Sequence, residues 1–277
     1  MPKPPKRKNL KPPGKCIFCG GGNLSKEHFW PSWAADLLPA GTGSYFEHYQ
    51  AYTEKTKPIG DPKETQRQGA VKTKKLRVVC VTCNNEWMSR LENEAEPILR
   101  PLILGNSITL NQSGQHLLAK WITLKVMVGE QNSPPDAVFS QSDREAFKLN
   151  CTIPNGISIW VAECGVGFWR TGYIHHTATL GLPNVPLADF RRKNVQATCF
   201  GIGNLLVLAL ASAIPEIDLD EFISIDGNGV FRLWKNVRRN LLWPMRFRLT
   251  DAAARKFAMA LDSFFASEQV VWKPIPV

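Results

Sequence analysis

Residues 80–87 read CVTCNNEW, a Cys-x-x-Cys knuckle followed at once by two asparagines and the start of a helical pattern. A second knuckle, CIFC, lies at 16–19, and KEHFWPSW at 26–33 stands between the two. A two-residue spacer lets both sulfurs of a knuckle reach one ion. Cys16, Cys19, Cys80 and Cys83 therefore read as a tetrahedral thiolate set for structural zinc, with redox or unrelated thiols as the alternative. Since sulfur fills all four positions, such an ion would hold the fold together and take no part in chemistry. Sixty residues separate Cys19 from Cys80, more than a compact zinc ribbon needs, so something is built between the knuckles.

Cys151, Cys164 and Cys199 are scattered through apolar sequence and read as core residues. Two paired knuckles without an even disulfide framework fit a reducing compartment, and MPKPPKRKNLKPPGK at the N-terminus has no apolar core of a secretory signal. Leu205 to Ile214 is too short an apolar run to span a bilayer. The expectation is a soluble, cytoplasmic protein with no membrane partner.

Charge is uneven along the 277 residues. Residues 1–83 carry 15 Lys/Arg against 6 Asp/Glu, a net of +9, whereas the remaining residues carry 19 against 18. A basic first third points to a polyanion, most simply a nucleic-acid backbone, with a solvated tail as the alternative. Lys55, Lys57, Lys63, Arg67, Lys72, Lys74, Lys75 and Arg77 form the best phosphate-contacting set, running from a polar segment at 53–75, read as a long exposed loop, into a short strand from Leu76.

Residues 1–15 read as a disordered basic arm, residues 16–103 as a zinc-stapled module, and residues 113–277 as a second, α+β domain of antiparallel strands and packed helices. In the module, apolar spacing from Trp87 to Leu99 is helical, with Pro97 and Pro101 expected to kink or end the helix and Asn85 to cap it. In the second domain, a buried helix is expected from Ser113, two strands joined at a glycine turn from Ile157, a strand from Val195, a buried helix over Leu205–Ile214, a hairpin from Ile223 and a Thr-capped helix from Thr250. Gly201 and Gly203, in GIGN, make too weak a pattern for a nucleotide site, and His175 and His176, adjacent on a strand, point to opposite faces. The basic clusters at 191–193 and 235–239 read as nucleic-acid contacts or solvated turns.

Between the knuckles, Glu27 and His28 are adjacent, and Asn84 follows the last cysteine. A carboxylate and an amide oxygen are hard ligands of the kind Mg²⁺ prefers, and a neutral imidazole can take a proton from water. Trp30 and Trp33 read as small-core residues or as stacking platforms for bases. CIFCG, then KEH, then VVCVTCN leading into a helix resembles the HNH, or ββα-metal, endonuclease family, in the branch stapled by zinc on four cysteines with an endonuclease VII-like layout. The resemblance covers residues 16–92. It implies a hairpin-helix fold, His28 as general base, Glu27 and Asn84 as ligands of a catalytic Mg²⁺ or Mn²⁺, and Cys16, Cys19, Cys80 and Cys83 on structural Zn²⁺. It also implies a DNA substrate, with RNA open, while the second domain would serve recognition, dimerisation, a partner protein or regulation. The family places an asparagine five residues before the third cysteine, where this chain has Lys75. A zinc-stapled nucleic-acid-binding protein without catalysis, or a ligand-sensing second domain, are the alternative readings.

Overall fold

Two strands bring the knuckles together. β1 (Leu24–His28) pairs antiparallel with β6 (Lys75–Cys80), placing Leu24 opposite Cys80 and His28 opposite Lys75. The computed structural model describes residues 14–38, 43–48, 53–54, 57–58, 65–70, 75–132, 134–164, 167–179, 193–214, 219, 225, 229–235 and 239–260, with the stretches between 43 and 70 described for the backbone alone. The basic arm therefore lies, but for residues 14 and 15, outside the described residues. The first knuckle closes as a turn, Gly20 N–H donating to the Cys16 carbonyl at 2.8 Å, and it hangs on the strand pair through Ile17 N–H to Val78 O at 2.9 Å.

β6 turns directly into helix. The Cys80 sulfur accepts the Cys83 N–H at 3.4 Å and so caps α1 (Val81–Cys83), which passes through a π turn (Asn84–Met88) into α2 (Ser89–Leu104). Asn85 is not the cap: the helix starts four residues earlier, because a knuckle sulfur already satisfies one of the unpaired N–H groups of its first turn. Pro97 and Pro101 neither end nor divide α2. Pro97 and Asn93 are exposed, so the carbonyls that the two prolines leave without a donor, those of Asn93 and Pro97, belong to exposed residues that water can reach.

Part of the stretch at 53–75 is not loop: β3 (Thr53–Glu54), β4 (Lys57–Pro58) and β5 (Thr65–Ala70) lie there, and β5 pairs with β2 (Gly43–His48). After α2 come β7 (Ile108–Leu110), α3 (Gln112–Gly129, capped by Asn111), α4 (Gln141–Asn150), β8 (Ile157–Glu163), β9 (Tyr173–Ala178), β10 (Val195–Ile202), β11 (Leu205–Ser212), β12 (Val230–Trp234), β13 (Leu241–Trp243) and α5 (Asp251–Ala258, capped by Thr250). Among the described residues the largest sheet runs β12-β8-β11-β10-β9-β2-β5, antiparallel throughout except where β2 meets β9. β8 and β9 are thus separated by β10 and β11 and do not form a hairpin. The segment at 104–112, where a domain boundary was expected, contributes β7, which pairs with β13.

Where a helix is expected over Leu205–Ile214, the chain forms strand β11 over Leu205–Ser212. β11 pairs on both sides, with β10 and β8, and its residues alternate between two cores: Leu205, Val207, Ala209 and Ala211 on one face, Leu206, Leu208 and Leu210 on the other. A strand buried on both faces shows no polar alternation, so periodicity cannot separate it from a buried helix. The first face packs against α3 and the hairpin-helix region, and the second against α5. No described helix is long and apolar enough to cross a membrane. The hairpin expected at Ile223 retains β12, while residues 226–228 of its turn lie outside the described residues.

Candidate functional site

The four knuckle sulfurs all lie within 4.8 Å of one another, with Cys19 and Cys80 at 3.5 Å. Tetrahedral Zn–S bonds of about 2.3 Å require sulfurs roughly 3.8 Å apart, so the cluster fits the ion. Three of the cysteines are buried and Cys19 is exposed. Burial pushes the Cys19 and Cys83 thiols up. It opposes ionisation at Cys80 as well, but there the Cys83 N–H and the neighbouring sulfurs prevail and bring the thiol down to about 7. The cluster sits on a small apolar base in which Phe18 meets Trp87 edge-on, with centroids 4.9 Å apart.

At the other end of the strand pair the register slips between Ser25 and Glu27, where β6 has one residue more than β1. Neighbours on a strand point to opposite sides, and here the two chemically active neighbours separate. Glu27 is only 5% exposed, while His28 is half-buried. His28 lines a cleft of about 580 Å³ with Trp30, Ser32, Trp33, Asp36 and Lys75. Partial burial, then the ammonium groups of Lys75 and Lys125, lower its pKa below 6.5, with Glu92 acting the other way. The imidazole is therefore neutral at neutral pH and able to accept a proton.

Glu27 points inward onto Lys125. This lysine, on α3 between Leu124 and Val126, is wholly buried; its ammonium lies 3.5 Å from Glu27 Oε1 and is hydrogen-bonded to Glu92 Oε1 from α2. Desolvation raises the Glu27 pKa against the opposing effect of Lys125. Lys125 keeps its proton: burial alone would lower its pKa, and Glu92 and Glu27 together more than reverse that. The residues present do not form an open divalent-ion site at Glu27, because its buried carboxylate already faces a fixed ammonium. Among the described residues, the group of His, Cys, Asp and Glu with ligand atoms close enough for one ion is the cysteine cluster.

Asn84 lies half-buried in the π turn next to Cys83. Of the basic set, Lys75 and Arg77 are exposed on β6, and Lys75 occupies the position directly opposite His28. Lys57 and Arg67 fall in β4 and β5, while Lys55, Lys63, Lys72 and Lys74 lie outside the described residues. Trp30 is core, edge-on to Phe29 and Phe200; Trp33 is half-buried, with the Arg100 guanidinium 5.0 Å from its ring centre. His175 bonds Thr198 Oγ1 through Nδ1 at 2.8 Å, inside the large sheet. Of the basic clusters at 191–193 and 235–239, residues 191–192 and 236–238 lie outside the described residues.

Sequence reading missed Lys125. Its signal is a single lysine inside the apolar run WITLKVMVG, since a lysine that a helix buries needs a carboxylate within reach. Comparison with protein-family models, with curated proteins and with solved structures gives no match.

Proposed function

We propose that this chain is a zinc-stapled endonuclease of the HNH kind, hydrolysing phosphodiester bonds in DNA at His28. One observation carries the reading: His28, kept neutral in the wall of a cleft and opposite an exposed lysine, stands on a strand pair that a four-cysteine cluster ties to the helix that follows. Zinc, held by the four cysteines, supplies rigidity there and no chemistry. His28 accepts a proton from a water molecule as its oxygen bonds to phosphorus. The bond to the leaving 3′ oxygen breaks, and that oxygen takes up a proton from solvent. Lys75 and Arg77, exposed on β6, bind the phosphate and offset its charge.

A second reading, nucleic-acid binding without catalysis, is favoured by the Glu27–Lys125 pair, which commits the expected metal-binding carboxylate elsewhere. Plasmid and oligonucleotide cleavage by the zinc-loaded protein and by His28→Ala separates the two. The native chain cuts, and His28→Ala loses at least about 100-fold in rate. Native protein that binds DNA tightly and never cuts would leave the binding reading standing and end the enzymatic one.

A further inference from the structure

We propose that Lys125 is the resident cation of the buried carboxyl pair beside His28, its ammonium holding the space between the Glu27 and Glu92 carboxylates and keeping divalent ions out of it. Lys125 reaches both carboxylates, one from β1 and one from α2, so a single charge on α3 ties three elements together at this point. It cannot swing into solvent, because Leu124, Val126 and the lysine itself are fully buried. The Glu92 side chain, in contrast, retains 21% exposure and so approaches water, while the Glu27 side chain keeps 7%. A divalent ion bound at Glu27 would sit at about 2.1 Å from a carboxylate oxygen, close to a fixed positive charge that has nowhere to go. Two carboxyl groups from different elements converge on the one ammonium, so removal of the lysine leaves a pair of hard oxygen ligands within reach of a single ion.

The inference bears on the proposed hydrolysis by leaving the phosphate to Lys75 and Arg77. It is read from metal binding, so either can fail without the other. Mn²⁺ is titrated into zinc-loaded, full-length protein and free Mn²⁺ is followed by electron paramagnetic resonance. Native protein and Glu27→Gln should bind Mn²⁺ equally weakly. Lys125→Met should gain one site, tighter by at least about tenfold, that Lys125→Met combined with Glu27→Gln loses. Lys125→Arg, which keeps the cation, should remain without it. A native protein that binds one equivalent of Mn²⁺ in a manner weakened by Glu27→Gln overturns the proposal, as does a folded Lys125→Met that gains no site. Should Lys125→Met fail to fold, the comparison of native protein with Glu27→Gln still decides.

Discussion

Removing one partner from a buried ion pair costs far more than the pair contributes, because it strands charge away from water. Lys125→Met leaves Glu27 and Glu92 facing each other without a cation, and it should lower stability by about 3–5 kcal/mol in denaturant unfolding. A loss under about 1 kcal/mol would mean that the ammonium does not sit between them in solution. His28 makes a different test, since it is half-buried and its lysine neighbours act on it through charge. Its pKa is lowered by burial and then by Lys75 and Lys125. The unfolded chain therefore binds the proton more readily, and the small stabilisation from keeping His28 neutral, present above 6.5, is lost as pH falls from there through the lower folded-state value. The NMR titration of His28 should have its midpoint below 6.5, and Lys75→Gln should move it upward; an unmoved midpoint would show that the Lys75 ammonium points away. Cleavage that depends on His28 as base should rise with pH through the same midpoint and then level off.

The turn between β10 and β11 shows how an element is settled by what it meets. Gly203 has φ +58°, and a Cβ there would lie 2.3 Å from the Ile103 carbonyl oxygen at the end of α2. Asn204 donates to that same oxygen from both its backbone N–H, at 2.9 Å, and its side chain, at 3.0 Å. GIGN is thus a turn docked on a helix end. Gly203→Ala should destabilise by about 2 kcal/mol or more, through the left-handed backbone and the close approach together. Thermal stability within about 1 °C of native would refute that contact. The Thr250 cap and the helix after it were legible because a cap and an amphipathic stripe are local signals. β11 was not legible, because its apolar continuity comes from packing on both faces.

Across the molecule, Cys16, Cys80, Cys83, Phe18 and Trp87 belong to the same apolar core as Ile159 and Val207 of the large sheet. Zinc removal should therefore unfold hairpin, helix and sheet in one transition at a lowered temperature. Two transitions, the later at the native temperature, would show that the sheet stands without the zinc cluster. By itself the sequence determined the four-cysteine cluster, the Thr250-capped helix and the mixture of helix with strand, since each rests on spacing between residues close in the chain or on ligand chemistry that tolerates few alternatives. It also marked Glu27 and His28 as a pair. Only the tertiary structure decided that the pair divides, His28 toward the cleft and Glu27 toward a lysine 98 residues away on α3. The reason is physical: a strand sends neighbours to opposite sides, and a buried carboxylate takes whatever cation the packed core places beside it.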